Sequence, residues 1–218
     1  MPCGRLFRYT LALMLILASA SPRRCELLIQ AGLTFRVQSV EIDEVPLPGE
    51  PAAAYVQRLA VEKAQAVCAL PREGAGESDV VLAADTTVVL GDGTILGKPA
   101  GSDTASKQRD ATRMLSLLSG RTHAVLTGIA AVRTGSPARI LADVEITQVT
   151  VNLIQPDEIA DYVASGEPLD KAGAYAIQGY AARWIPRIEG DYTNVVGLPI
   201  ARVIALLAEM DARGAVTS

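Results

Sequence analysis

Histidine is nearly absent from this chain of 218 residues, which contains only His123. A single imidazole disfavours metal sites built on several histidines and also a Ser-His-Asp arrangement. Because His123 stands where a predicted strand begins, we interpret it as a capping or packing residue. Cysteine is scarce too: Cys3, Cys25 and Cys68 are odd in number and show no CxxC spacing. This pattern argues against a disulfide framework and structural zinc, and it suits a reducing compartment.

Long apolar runs and an excess of positive charge are also missing. The longest uninterrupted apolar run, residues 11–18, falls short of the ~18 residues that a membrane span requires, so no membrane partner is predicted. The formal net charge of −4 gives no general attraction to nucleic acid. An anionic substrate would therefore need positive charge gathered locally. Half of the residues are hydrophobic, at 50%, which is enough for a sizeable core in one or two domains.

The stretch LALMLILASASPRR, residues 11–24, fits two incompatible interpretations. Arg5 and Arg8 precede an apolar run, and residues 18–20 have the small-x-small form of a signal-peptidase site, as in an export signal. The alternative is a buried first strand over residues 14–18, followed by a serine-rich turn and two arginines. The first interpretation removes these residues from the mature protein, and the second makes them part of a site.

The remaining sequence alternates short apolar runs with helical periodicity, and it contains no linker or internal repeat. Together with the first strand, this alternation predicts an α/β domain with a mixed sheet. The turn signal Gly135-Ser136-Pro137 separates two long strands, and Ser102 or Asp103 is expected to cap a helix. The predicted strands cover residues 35–42, 79–90, 122–134 and 139–154, with a hairpin partner near 94–99, and the predicted helices cover 22–32, 52–70, 102–120, 156–166 and 199–214.

The turn SASPRR gathers two hydroxyls and two guanidiniums where a strand is predicted to enter a helix. These side chains are Ser19, Ser21, Arg23 and Arg24. Together with the free N–H groups of a helix N-terminus, they favour binding of a phosphate or carboxylate. A capped helix with two surface arginines is the alternative that the residues alone leave open.

Two charged residues interrupt apolar patterns. Lys63 falls in the middle of the apolar stripe of a predicted helix, so it must either extend to the helix edge or meet an anion. Asp85 interrupts the β-type run VVLAADTTVVL, where it is either a strand-end turn residue or a metal-binding or base-forming group. Lys98 and the acidic segment 41–44 are weak signals individually. Carboxylates, lysines, arginines and a hard cation together suit phosphoanhydride hydrolysis.

Eight motifs in order resemble the Maf family of nucleoside triphosphate pyrophosphatases, from about Met14 to the last helix. The resemblance implies hydrolysis of a nucleoside triphosphate to the monophosphate and pyrophosphate with a divalent cation, Mg²⁺ or Mn²⁺. It also implies a cytoplasmic homodimer and a fold similar to inosine triphosphate pyrophosphatases, in which an elongated mixed sheet flanked by helices forms two lobes around a cleft. The motifs are LASASPRRCELL, IDE, RLAVEKA, AADTTV, GKP, LSGRTHAVLTGIA, YVASGEPLDKAGAYAIQG and IEGDYTNVVGLP.

The resemblance also implies roles for individual residues. Asp85 matches the proton acceptor, with Lys63 and Lys98 as further catalytic residues, and Glu44 joins Asp85 as a metal ligand. The AGAYAIQG form is similar to the branch that acts on dTTP and UTP, in which Arg23, Thr86 and Gln178 match positions tied to base choice. The full substrate-binding set is Ser19, Ser21, Arg23, Arg24, Thr86 and Gln178.

These implications favour the strand interpretation of the N-terminal stretch. We expect a single domain over residues 14–213, with residues 1–13 as an extension outside the fold. Two alternatives to a dTTP and UTP pyrophosphatase stay open. One is a nucleotide-binding regulator of cell division or septum formation without turnover, and the other is a pyrophosphatase for modified or non-pyrimidine triphosphates.

Overall fold

The computed structural model describes residues 14–70, 79–135 and 139–212. The predicted extension over residues 1–13 and most of the predicted turn at 135–137 lie outside them. No helix in these three ranges is long and apolar enough to cross a membrane. The described strands are β1 (Leu15–Leu17), β2 (Phe35–Val37), β3 (Val80–Val89), β4 (Ile95–Leu96), β5 (Thr122–Arg133), β6 (Arg139–Thr150) and β7 (Arg187–Glu189), and the helices are α1 (Pro22–Gln30), α2 (Ala52–Cys68), α3 (Thr104–Leu118), α4 (Pro156–Ala164), α5 (Tyr192–Val196) and α6 (Ile200–Ala212).

The strands form one seven-stranded mixed sheet flanked by helices, which confirms the predicted fold class. Its order is β2-β1-β3-β5-β6-β7, and β4 pairs with β3 off this path. β1 runs parallel to both β2 and β3, whereas β3, β5, β6 and β7 pair antiparallel in turn. β2 is shorter than the strand predicted over 35–42, because β1 offers it only three residues to pair with.

One edge of β3 is covered by two short strands with a gap between them. β1 pairs with residues 80–82 and β4 pairs with residues 88–89, whereas β5 covers the opposite edge from residue 80 to residue 89. None of the described strands therefore pairs with this edge of β3 over residues 83–87. Asp85 and Thr86 lie in this gap, and the gap forms the entrance of a cleft.

Helices cover both faces of the sheet. On one face, Leu82 and Ala84 of β3 pack into a core with α1 and α6, and Val88 packs into a second core with α3 and α4. Thr86 shares this face, since side chains alternate along a strand, and it lies between the two cores. On the other face, Val81 and Ala83 pack against α2. The cores of the first face form two lobes that meet at the gap in β3.

Helix α3 shows how local sequence sets an element's start. Asp103 is its N-cap, and the carboxylate of Asp103 accepts a hydrogen bond from the main-chain N–H of Ser106 at 2.7 Å. The Ser106 hydroxyl in turn accepts from the main-chain N–H of Asp103 at 3.2 Å, completing a capping box. Of the two caps that the sequence left open, the structure selects Asp103.

Candidate active site

A cavity of about 750 Å³ opens at the gap in β3. Its wall is formed by the turn from β1 to α1, the loop after β2, the middle of α2, residues 85–88 of β3, the loop after β4, the segment 170–178 and the connection from α5 to α6. All ten candidate residues from the sequence line this one cavity. The structure therefore brings together side chains that are up to 159 positions apart, from Ser19 to Gln178.

Lys63 meets two carboxylates in the cavity. Its Nζ lies 2.6 Å from Oδ1 of Asp85 and 2.5 Å from Oε1 of Glu44. Burial raises the pKa of Glu44, but the hydrogen bond from Lys63 and its positive charge outweigh burial, and the pKa lies below its ordinary value. The lysine in the apolar stripe thus has two carboxylates as hydrogen-bonding partners. Asp85 is a mid-strand residue of β3, not a strand-end turn residue.

A glycine on β5 allows α2 to approach the sheet closely. Gly128 pairs with Asp85 in the sheet register. A Cβ on Gly128 would lie 2.2 Å from the main-chain oxygen of Val56 on α2, which real Cβ atoms do not tolerate. The missing side chain lets α2, the helix that carries Lys63, rest on the sheet at this point.

Arg24 uses most of its hydrogen-bonding capacity within the protein. Its Nε donates to the carbonyl of Gly197 at 2.8 Å, and its Nη1 donates to the carbonyl of Ala84 at 2.8 Å and to Ser19 Oγ at 3.1 Å. Its Nη2 donates to Thr86 Oγ1 at 3.1 Å. Four of the five N–H donors of the guanidinium are thereby used. Burial lowers the pKa of Arg24, while the charge of Asp85 opposes this effect.

The Thr86 hydroxyl is also engaged. It accepts from Arg24 and lies 2.9 Å from Thr127 Oγ1 and 3.4 Å from the carbonyl of Gly197. Thr127 Oγ1 donates its own hydrogen to the carbonyl of Asn194 at 3.3 Å. The Thr86 hydroxyl has a single hydrogen, which can go either to the carbonyl of Gly197 or to Thr127 Oγ1, while its oxygen accepts from Arg24.

The N-terminus of α1 faces the cavity. Ser21 is its N-cap and makes no side-chain cap, and Pro22 follows at the first helical position. The Ser21 N–H donates to Ser19 Oγ at 3.2 Å, so the turn is ordered before any ligand binds. With Arg23 lining the same cavity, this turn combines helix N–H groups with a guanidinium, which favours an anion.

Lys98 and Gln178 are exposed side chains of the cavity wall. The positive charge of Lys98 contributes to the lowered pKa of Glu44. Gln178 follows a 3-10 helix over Ala172–Ala174. Both side chains are therefore accessible to a ligand that enters from solvent.

Four cavity residues were not singled out from the sequence. Tyr55 donates its hydroxyl to the carbonyl of Glu44 at 2.8 Å and so holds the loop that carries this carboxylate. Thr87 lines the cavity and its buried hydroxyl has no partner among the described residues. Asp170 forms an ion pair with Lys171 at 2.6 Å. Tyr175 lines the cavity three positions before Gln178. Thr87, Asp170 and Tyr175 fell within quoted motifs and Tyr55 did not, but neither charge nor periodicity marked any of the four as part of a site.

The donor set suits a hard cation bound together with a ligand. Within the described ranges no group of three or more histidine, cysteine, aspartate or glutamate side chains forms a metal cage. Glu44 and Asp85 instead offer two carboxylates that converge on one cationic centre, Lys63. Mg²⁺ is commonly held by one or two carboxylates plus substrate phosphates, so these two residues fit it.

The fold and the cavity define a mixed α/β protein whose cleft combines carboxylates with several cationic side chains, an arrangement suited to a phosphate-bearing ligand. The chain belongs to the Maf family, since the family model described as Maf-like protein matches residues 14–210.

Several relatives of the chain are named dTTP/UTP pyrophosphatase. The chain is 48% identical over 202 residues to the dTTP/UTP pyrophosphatase of Koribacter versatilis (strain Ellin345), covering 93% of this chain and 97% of that protein. It is 50% identical over 195 residues to the dTTP/UTP pyrophosphatase of Moorella thermoacetica, covering 89% and 93%. Among solved structures, a HAM1 protein from Coxiella burnetii matches with a TM-score of 0.49 and 15% identity, over 90% of this chain and 99% of that chain.

Proposed function

We propose that this protein hydrolyses dTTP and UTP to the nucleoside monophosphate and pyrophosphate. The relatives named dTTP/UTP pyrophosphatase support the reaction and the substrates. The observation that carries the proposal is the place of Asp85, whose carboxylate lies in the cleft beside Lys63, while Lys98 and Arg23 line the same cavity. The cleft therefore concentrates the positive charge that binding of a triphosphate requires, although the net charge of the whole chain is −4.

The residues support a hydrolysis in which Asp85 acts as the general base. A water attacks the α-phosphorus, Asp85 accepts a proton from it, and the bond between the α-phosphorus and the bridging oxygen breaks. The pyrophosphate leaves with the bridging oxygen, and the Asp85 proton is returned to solvent. Lys63, Lys98 and Arg23 stabilise the charge that grows on the departing group.

Glu44 and Asp85 would hold the divalent cation, Mg²⁺ or Mn²⁺. When bound, such an ion neutralises phosphate charge and lowers the pKa of a coordinated water. Lys63 keeps both carboxylates in place before the ion arrives, because it bonds to one oxygen of each. The second oxygen of each carboxylate would be available to the ion.

Base choice would fall to Gln178, Thr86 and Arg23. The Gln178 amide offers both a donor and an acceptor, which matches the imide edge of uracil or thymine. Thr86 would add a hydroxyl whose position is fixed by the hydrogen bond from Arg24. Ser19 and Ser21 would present the turn before α1 to the phosphates. A cytoplasmic location, a homodimer and a single domain over residues 14–213 stay predictions from the family resemblance.

The decisive experiment measures pyrophosphate release with Mg²⁺ from dTTP, UTP, CTP, GTP, ATP, ITP and 7-methyl-GTP. We expect selective turnover of dTTP and UTP. Binding across the panel without release would contradict the proposal and favour a nucleotide-binding regulator. Turnover that is fastest with ITP, 7-methyl-GTP or another non-pyrimidine triphosphate would instead favour the broader pyrophosphatase.

A further inference from the structure

The wall of the cleft that carries Gln178 has a strained backbone. Gly173 and Ala174 adopt φ angles of 66° and 59°, and Ala174 is the one non-glycine residue with positive φ in the described parts of the chain. Ala174 is also fully buried, with no accessible surface. A side chain with a Cβ disfavours this left-handed conformation, so the surroundings must impose it.

Two contacts fix the backbone on either side of the strained residues. The Gly173 N–H donates to the carbonyl of Gly97 at 3.0 Å, and a Cβ on Gly173 would lie 2.8 Å from Cγ2 of Val88. The Ala176 N–H donates to the hydroxyl of Tyr162 at 3.3 Å. The segment is thus pressed against β3 at one end and tied to α4 at the other.

A buried side-chain pair supplies the third anchor. The hydroxyl of Tyr175 lies 2.8 Å from Nε2 of His123, with the rings edge-on at 5.5 Å between centroids. The two residues are 9% and 1% exposed. Nδ1 of His123 has no hydrogen-bond partner within the described ranges. Among the described residues, this imidazole therefore makes its side-chain hydrogen bond with Tyr175. The proposed hydrolysis does not use His123.

We propose that His123 and Tyr175 are positioning residues for base choice. Their hydrogen bond fixes Tyr175, which lines the same cleft as Gln178 three positions later, and so sets where the Gln178 amide meets the base. This inference rests on the proposed function, since it assigns a role in choosing among pyrimidine triphosphates. A merely structural pair would support folding and leave the choice of base unchanged.

Tyr175→Phe tests the inference, because it removes only the hydroxyl. The measurement is kcat/KM for dTTP, UTP and CTP, expressed as the ratio of dTTP to CTP. That ratio does not depend on the fraction of folded enzyme, so lost stability alone leaves it unchanged. We expect the ratio to fall by about tenfold. A displaced Gln178 amide no longer distinguishes the imide edge of thymine from the amino edge of cytosine.

Tyr180→Phe is the matched control. Tyr180 lies on the following 3-10 helix outside the cavity wall, and its exposed hydroxyl accepts a hydrogen bond from Arg183 at 2.6 Å. We expect this variant to keep the wild-type ratio. An equal fall in both variants would overturn the assignment to the His123 pair.

Two substitutions of His123 complete the test. His123→Gln introduces an amide that can form a hydrogen bond with Tyr175, so we expect it to retain more of the wild-type ratio of dTTP to CTP than His123→Leu does. His123→Leu also tests the inference if Tyr175→Phe fails to fold. An unchanged ratio in Tyr175→Phe and His123→Leu, with reduced stability, overturns the inference and leaves a structural role.

A wild type that hydrolyses neither dTTP nor UTP overturns the proposed function and this inference with it. A selective wild type with equally selective variants overturns this inference alone.

Discussion

The guanidinium of Arg24 donates a 2.8 Å hydrogen bond to the main-chain carbonyl of Ala84, at the stretch of β3 that neither β1 nor β4 covers. A side chain thus takes the place of a strand partner at this edge. The same guanidinium reaches the turn before α1 and the connection after α5, so it joins three segments that the chain order separates. The mouth of the cleft depends on this junction for its shape.

Arg24→Lys should destabilise the protein by about 2–4 kcal/mol, because an ammonium cannot reproduce four hydrogen bonds in fixed directions. Denaturant unfolding measures the change in the free energy of unfolding. The neighbouring Arg23→Lys is the control: Arg23 lines the cavity as well, and we expect it to lose substrate affinity while keeping wild-type stability. Equal stability losses in both variants would contradict the junction role of Arg24.

Asp85→Asn should keep the fold and lose at least about a hundredfold in kcat, because an amide cannot accept the proton of the attacking water. Pyrophosphate release with Mg²⁺ measures the loss, and thermal unfolding checks that the protein remains folded. The surface variant Asp92→Asn is the control, since Asp92 lies in the exposed turn between β3 and β4. Turnover by Asp85→Asn near the wild-type rate would remove Asp85 as general base and as metal ligand.

Two residues of this site were accessible from the sequence because they are charged and interrupt apolar patterns, whereas Glu44, Thr86 and Gln178 were assigned only through the family resemblance. Lys63 in a helical stripe and Asp85 in a strand are costly to bury alone, and the structure shows that they pair with each other. Tyr175 gave no such signal, because an aromatic residue in a glycine-rich stretch looks like ordinary packing. The engagement of Arg24 was equally hidden, since a sequence shows which donors exist and not which acceptors surround them.

The predicted elements were recovered where periodicity is long. α2 covers Ala52–Cys68 against a prediction of 52–70, and β5 covers Thr122–Arg133 against 122–134. β2 was overestimated, because its length depends on its three-residue partner and not on its own alternation. Pairing partners are a tertiary property, and a single strand's sequence does not contain them.

Gly128→Ala should lower both stability and turnover. A methyl group there would meet the main-chain oxygen of Val56 at 2.2 Å, so α2 must move away from the sheet and carry Lys63 from Asp85. We expect a loss of about 1–3 kcal/mol in the free energy of unfolding, typical of overpacking. Gly91→Ala is the control, because nothing lies within 4 Å of a Cβ at that position. Wild-type turnover in Gly128→Ala would show that the approach of α2 does not set the site.

Lys63→Met should cost about 3–5 kcal/mol at neutral pH, because it leaves the buried Asp85 carboxylate without its cation. The loss should shrink in acid. The pKa of Glu44 in the folded protein lies below its ordinary value of 4.5, so its contribution to stability is complete above that value and is lost as the pH falls below it. Unfolding at pH 7 and pH 4 measures the difference, with Lys107→Met on α3 as an exposed control away from Glu44. A loss that does not depend on pH would contradict the coupling to Glu44.

His123 should make the wild-type protein less stable as the pH falls from about 6.5 towards 4. Burial lowers the pKa of His123 from its ordinary 6.5 to about 4, so between these values the unfolded chain binds a proton that the folded protein does not. The contribution to stability is therefore complete above about 6.5 and is lost progressively below it, by up to about 3 kcal/mol. His123→Gln removes the titrating group, and its free energy of unfolding should change less over this range when both proteins are unfolded by denaturant at pH 7 and pH 5. Identical pH profiles for the two proteins would show that His123 is not buried as a neutral partner of Tyr175.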